Sequence, residues 1–208
     1  MQPFTLVVGA AAPLMRANID TDVIIRIERL TSLPSRQLGD YALEALRFRP
    51  DGSEDEDFVL NRPRFRKAPV LLAGSNFGCG SSREAAVVAL MGMGVRCVIA
   101  PSFGDIFYSN CFQNGLLPVE LPLVTVEALA MQCKNGAPVR IDLVAATVTA
   151  PDGTMISFEI DPLRRQALLE GLDDIGLTLK DDFVIRQWQV EDRTRRPWAW
   201  TVSPEAGN

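Results

Sequence analysis

The residues best able to do chemistry lie in one segment, Gly74-Ser75-Asn76-Phe77-Gly78-Cys79-Gly80-Ser81-Ser82-Arg83-Glu84. Its glycines let backbone N–H groups turn toward a common point, and the helix expected after it adds the partial positive charge of its N-terminus. Such a concavity suits an anion, with Gly78, Cys79 and Gly80 as its backbone. Arg83 contributes a planar fork matched to a carboxylate or phosphate. Between the glycines and the arginine lie two hydroxyls, Ser81 and Ser82. The spacing is neither GxxxxGK[ST] nor GxGxxG, which argues against a nucleotide site. Ser81-Ser82-Arg83-Glu84 also fits an S-x-x-E capping box, in which Ser81 and Glu84 satisfy free helix donors. A serine used in that way is less free to take a proton, so the two readings compete.

Composition narrows the chemistry further. The 208 residues include no histidine, which excludes a Ser-His-Asp or Cys-His arrangement within the chain and any His-ligated metal. The four cysteines, Cys79, Cys97, Cys111 and Cys133, contain no CxxC pair and lack the spacing that holds zinc or an iron–sulfur cluster. They read as reduced thiols of a cytosolic protein, with Cys79 a packing residue, so no metal is expected on this chain. Lys plus Arg number 21 against 26 Asp plus Glu, a net charge of −5, and nucleic acid is not the expected partner. No apolar stretch approaches the roughly 18 residues that span a bilayer. Phe4 to Met15 is apolar, but only Met1, Gln2 and Pro3 precede it without positive charge, so it reads as a buried first strand and not a signal peptide. A cytoplasmic protein without a membrane partner is the expectation.

The elements that must position the loop follow from the hydrophobic pattern. Strand-like runs at Phe4 to Val8 and Val23 to Ile25 flank turn signals at Gly9, Pro13 and the string Asn18-Ile19-Asp20-Thr21-Asp22. Helical spacing runs from Ser35 to Leu46, and the charged stretch Glu54 to Lys67 reads as a solvated loop. Pro69 to Ala73 is a continuous apolar strand ending at Gly74, before the loop and a helix from Arg83 to about Met93. Cys97 to Ala100 is a second buried strand, Asp105 to Asn114 a helix, and Leu116 to Val119 extended chain. Strand, helix, strand, helix marks parallel crossover units. A helix from Thr125 to Lys134 precedes an antiparallel meander at Val139 to Leu143, Thr147 to Ala150 and Met155 to Phe158. Asp161 and Pro162 open a helix through Leu169. A last helix spans Lys180 to about Asp192, and the tail 193–208 is expected to be poorly ordered. The fold class is α/β, a parallel central sheet with a smaller antiparallel part.

Four strings occur in order: NIDTDVII from Asn18, GSNFGCGSSRE from Gly74, APSFGDIFYSNCFQNGLLPV from Ala100 and DPLRRQALLEGLDDIGLTL from Asp161. Together they resemble the small subunits of the 3-isopropylmalate dehydratase family, in the longer bacterial form, from about Phe4 to about Gln189. The resemblance implies the swivelling domain of the aconitase superfamily over residues 1–192, with three layers (sheet, sheet, helices). It implies a hydro-lyase that interconverts 2-isopropylmalate and 3-isopropylmalate by dehydration and rehydration in leucine biosynthesis. It also implies a large-subunit partner carrying a [4Fe-4S] cluster, with no cofactor on this chain. The family's catalytic serine falls on Ser81, its carboxylate-binding positions on Ser82 and Arg83, and its active-site aspartate on Asp22. In the family the segment after that aspartate helps recognise the alkyl group of the substrate; here it is Arg26 to Thr31, with Leu30 as the expected isopropyl contact and a plain core role as its other reading. Asp20 and Asn76 read as loop organisers, and Trp188, Trp198 and Trp200 as candidate partner contacts.

Three positions depart from the family's usual pattern: Ala85 where it has His, Arg26 where it has Pro, and Gly104 where it has Ala. The first two bear on the substrate, so a related 2-alkylmalate such as citramalate or dimethylmalate is an alternative. A subunit that binds without catalysing is another.

Overall fold

The computed structural model describes residues 1–200; the part of the expected tail from 201 to 208 lies outside the described residues. Two compact units divide the chain, Met1–Asp173 and a unit that begins at Asp174.

The first unit is built on a seven-stranded sheet. In chain order its elements are β1 (Leu6–Leu14), α1 (Thr21–Ile24), α2 (Ile27–Ser32), α3 (Glu44–Arg47), β2 (Val70–Ala73), α4 (Glu84–Met93), β3 (Cys97–Ala100), α5 (Asp105–Asn114), β4 (Leu117–Glu120), α6 (Leu123–Cys133), β5 (Pro138–Asp142), β6 (Thr147–Thr149), β7 (Met155–Ser157) and α7 (Pro162–Glu170). The strand order is β4-β3-β2-β1-β5-β6-β7. From β1 to β4 neighbours are parallel, joined by the crossovers that parallel pairing requires, and from β1 through β7 they are antiparallel. β1 serves both parts: Leu6 to Ala10 pair with β5, and Ala11 to Leu14 with β2. That double pairing carries β1 past Gly9 and Pro13, beyond the turn expected there.

Strict alternation along the parallel strands walls off two cores. Ala12, Leu71, Ala73, Val98 and Ala100 face one, together with Ala86 and Leu90 of α4 and Phe107 and Cys111 of α5. Ala11, Val70, Leu72, Cys97, Ile99, Leu117 and Val119 face the other, which is closed by Val126, Leu129 and Cys133 of α6 and by Val139, Ile141 and Val148 of the antiparallel strands. The register Val70↔Cys97↔Leu117 keeps the alternation in phase, because a slip of one residue would exchange the two faces. Helices on one side of the parallel sheet, and α6 with the antiparallel strands on the other, make the expected α/β architecture.

Local structure departs from the sequence expectation at Val23 to Ile25 and at Ser35 to Leu46. Val23 to Ile25 is not a strand: Asp20 Oδ1 accepts from the Val23 N–H at 2.7 Å and caps the short helix α1. Ser35 to Leu46 is not one helix but a 3₁₀ turn, Ser35–Tyr41, and α3, separated by Leu43 in the left-handed region.

The second unit holds α8 (Asp174–Thr178) and α9 (Asp182–Arg195). The latter runs three residues past the expected end, and Asp192 accepts from Arg196 Nε at 2.7 Å and from the Trp200 indole at 3.1 Å.

Candidate functional site

Three loops leave the carboxyl ends of β1, β2 and β3 and are stitched together by backbone hydrogen bonds. Asn18 N–H donates to Ser75 O at 2.9 Å, Gly78 N–H to Ile19 O at 2.7 Å, and Phe77 N–H to Ser102 O at 3.1 Å. Asn76, itself at φ +59°, donates from Nδ2 to Asn18 Oδ1 at 2.8 Å. Beneath them Phe77 is fully buried, edge-on to Phe103 and Phe107. Gly78 has φ +73°, and a Cβ there would run into the Phe107 ring. A Cβ on Gly104 would lie 2.6 Å from Gly78 O, so the departure to glycine at 104 accompanies a backbone contact with the loop. The carboxyl edge of parallel strands is where open α/β sheets bind ligands.

The capping box does not form. Helix α4 begins at Glu84, its N-cap is Arg83, and no side chain caps it. Arg83 N–H instead donates to Ser81 O at 2.9 Å in a tight turn, and Glu84 Oε1 accepts from Asn114 Nδ2 at 3.0 Å. Ser81 and Ser82 are exposed, and among the described residues neither hydroxyl has a protein partner. Arg83 is largely buried, with a side chain 16% exposed. It forms an ion pair with Asp22, and its Nη1 also donates to Ile25 O at 3.4 Å. The Nε and Nη2 groups of Arg83 have no partner among the described residues, leaving an edge of the fork for an anion.

Ser81, Ser82, Arg83, Asp22 and the Gly78-Cys79-Gly80 backbone are therefore brought together. Asp20 and Asn76 organise the loops as read from the sequence. Leu30 sits on α2, partly buried against the first core. Thr21 was not singled out by sequence reasoning, although it stands within the polar string that holds Asp22. Its hydroxyl donates to Ser81 O at 3.0 Å.

Ala85 is half-buried against the first core. Arg26, 59% exposed, lies 3.9 Å from Glu44, which Arg29 grips with Nη2 at 2.8 Å. Arg26, Arg29 and Glu44 line a hollow of about 700 Å³ with Tyr41, Phe48 and Arg49.

Cys97, Cys111 and Cys133 are buried, and burial pushes their thiols up, Cys133 to about 11. Among the described residues no group of three or more His, Cys, Asp or Glu side chains is placed to hold a metal ion. No described helix is long and apolar enough to cross a membrane.

Comparison with known proteins bears on this geometry. Residues 1–123 match a family model for the aconitase C-terminal domain, and residues 127–162 match one described as LeuD_N. A 3-isopropylmalate dehydratase small subunit of Paramagnetospirillum magneticum is 48% identical over 95% of this chain and 100% of its own. One from Rhodospirillum centenum is 49% identical over 96% and 99%. A crystal structure of 3-isopropylmalate dehydratase from Methanocaldococcus jannaschii superposes with a TM-score of 0.66 at 29% identity, covering 88% of this chain and 98% of that one.

Proposed function

The chain belongs to the family of 3-isopropylmalate dehydratase small subunits, and from that premise we propose that it supplies the base and a carboxylate anchor to a two-chain hydro-lyase. The reaction interconverts 2-isopropylmalate and 3-isopropylmalate in leucine biosynthesis. Water leaves when a proton is taken from a carbon next to a carboxylate and the neighbouring hydroxyl departs; it returns with the two positions exchanged.

Ser81 takes that proton and Arg83 holds a substrate carboxylate on its free edge, with Ser82 beside it. A serine hydroxyl is far too weak an acid near neutral pH to act unaided. Its oxyanion needs N–H donors and a cation in a site closed to water. The Cys79 and Gly80 N–H groups, the uncapped start of α4 and the Arg83 guanidinium are such groups, the Gly78 N–H being already given to Ile19 O, and Asp22 keeps that guanidinium in place. The observation that carries this reading is the Ser81 hydroxyl, exposed and unpartnered where a capping serine was the competing expectation. Because Ser81 is exposed, closure against water falls to the partner, the large subunit that small-subunit membership implies.

The cluster implied by the resemblance does not fit this chain, whose cysteines are scattered and mostly buried. It is assigned to the large subunit, and no step here is routed through it. Four free cysteines suit a reducing compartment and support a cytoplasmic setting.

Arg26 favours a second reading of the substrate. Its exposed charge at the start of α2, within the segment that the resemblance assigns to the alkyl group, fits a related 2-alkylmalate such as citramalate or dimethylmalate, which substrate profiling of the reconstituted complex tests. The central test is Ser81→Ala in that complex, where kcat should fall roughly a hundred- to ten-thousand-fold with subunit association intact. Near-parental turnover removes Ser81 as the base. A parent complex that assembles but dehydrates no 2-alkylmalate makes the chain a binding subunit instead.

A further inference from the structure

The exposed Ser81 side chain is held by no hydrogen bond of its own, so its direction is set by its backbone. That backbone is gripped from below. Thr21 is 1% exposed, one of three buried polar or charged side chains among the described residues. Its Oγ1 donates to Ser81 O at 3.0 Å across 60 residues of sequence, and its N–H donates to Cys79 O at 2.9 Å. The two acceptors flank Gly80, whose φ of +92° swings the chain between them. The Ser81 carbonyl also receives the Arg83 N–H at 2.9 Å, so one local and one distant donor fix its peptide plane. The same turn of α1 carries Asp22, which pairs with Arg83, and Asp20 caps it. One four-residue helix thus orders both reactive side chains of the loop, and the hydroxyl of Thr21 is its link to Ser81.

We propose that Thr21 is a positioning residue of the reaction. By donating to the Ser81 carbonyl from beneath the loop, it aims Ser81 Oγ at the substrate carbon. The proposal rests on the reading of Ser81 as the base. A displacement of about 1 Å at a reacting group can cost on the order of a hundredfold in rate, so a hydroxyl that touches no substrate can still be felt in turnover.

The test uses the complex reconstituted with the large subunit, with 2-isopropylmalate as substrate. Thr21→Val removes the donor at nearly constant volume, Thr21→Ala removes it without risk of overpacking, and Thr21→Ser retains it. The expected result is a fall in kcat of roughly ten- to a hundredfold for both Val and Ala, KM within about threefold, and recovery to within about threefold of the parent by Ser. Amide hydrogen exchange at residues 80–83 should quicken in Thr21→Val and not in Thr21→Ser. In a Ser81→Ala background Thr21→Val should add no further loss, because the group it aims is gone.

Parental rates in both Val and Ala variants overturn the proposal. So does a Ser variant as slow as the Val variant, or a full additional loss in the Ser81→Ala background. Near-parental activity of Ser81→Ala alone refutes the base assignment and the Thr21 role with it. A crippled Ser81→Ala beside parental Thr21 variants refutes only the Thr21 role.

Discussion

At the scale of single residues, the hydroxyls proposed to act on substrate lie apart from the buried thiols. Ser81 and Ser82 are exposed, whereas Cys97, Cys111 and Cys133 are sealed within the two cores. Cys79, half-exposed, is the accessible thiol. Thiol reagents near neutral pH should therefore label Cys79 first and reach the other three only as the chain unfolds, which mass spectrometry of the labelled protein checks. Burial also couples Cys133 to pH. Its folded thiol keeps the proton up to about 11, against an ordinary value of 9.0. An unfolded chain loses that proton sooner, so this contribution to stability is whole below pH 9.0 and lost as pH rises through about 11. Urea unfolding at near-neutral and alkaline pH should show the fall, and Cys133→Ala should lessen it. An unchanged pH dependence in that variant would remove Cys133 as its source.

At the scale of elements, close backbone approach decides what sequence periodicity could not. The 3₁₀ turn Ser35–Tyr41 lies against α4 at Gly39, where a Cβ would fall 2.6 Å from Gly92 O and 2.7 Å from Gly92 Cα. Neither glycine carries a hydrophobic signal, so the apolar spacing from Leu38 to Leu46 reads as one amphipathic helix. The contact instead demands a tight turn, then a left-handed Leu43 and a fresh start at α3. Gly39→Ala should destabilise the fold by about 2 kcal/mol through overpacking against α4, measured as a lower urea midpoint at unchanged slope. A midpoint equal to the parent's would mean that the two backbones are not in contact. The same kind of approach operates at the site, where Gly104 meets Gly78 and leaves no room for a larger residue.

At the scale of the molecule, the four parallel strands form a wall shared by two cores. Leu71 faces one and Leu72 the other, both completely buried. Leu71→Ala and Leu72→Ala should each cost about 2–5 kcal/mol. In each variant the residues Met1–Asp173 should unfold in one transition, since neither core can melt while the other keeps the strands in place. Two separate transitions, seen by tryptophan-independent circular dichroism and by hydrogen exchange, would show that the cores are independent.

Much of this protein was legible in the chain itself. The runs Val70 to Ala73 and Cys97 to Ala100, bounded by glycine and by helical spacing, specify buried parallel strands because only strands covered on both faces tolerate continuous apolar sequence. The glycines, serines and Arg83 at the end of one such strand carry the proposal of an anion loop, since it rests on residue type and chain order. What sequence could not decide was whether Ser81 capped the helix or stood free. That depends on partners distant in the chain: Asn114 draws Glu84 aside, Asp22 pairs with Arg83, and Thr21 grips the Ser81 carbonyl. Only folding brings these residues together, and a local motif carries no information about contacts separated by 30 to 61 residues.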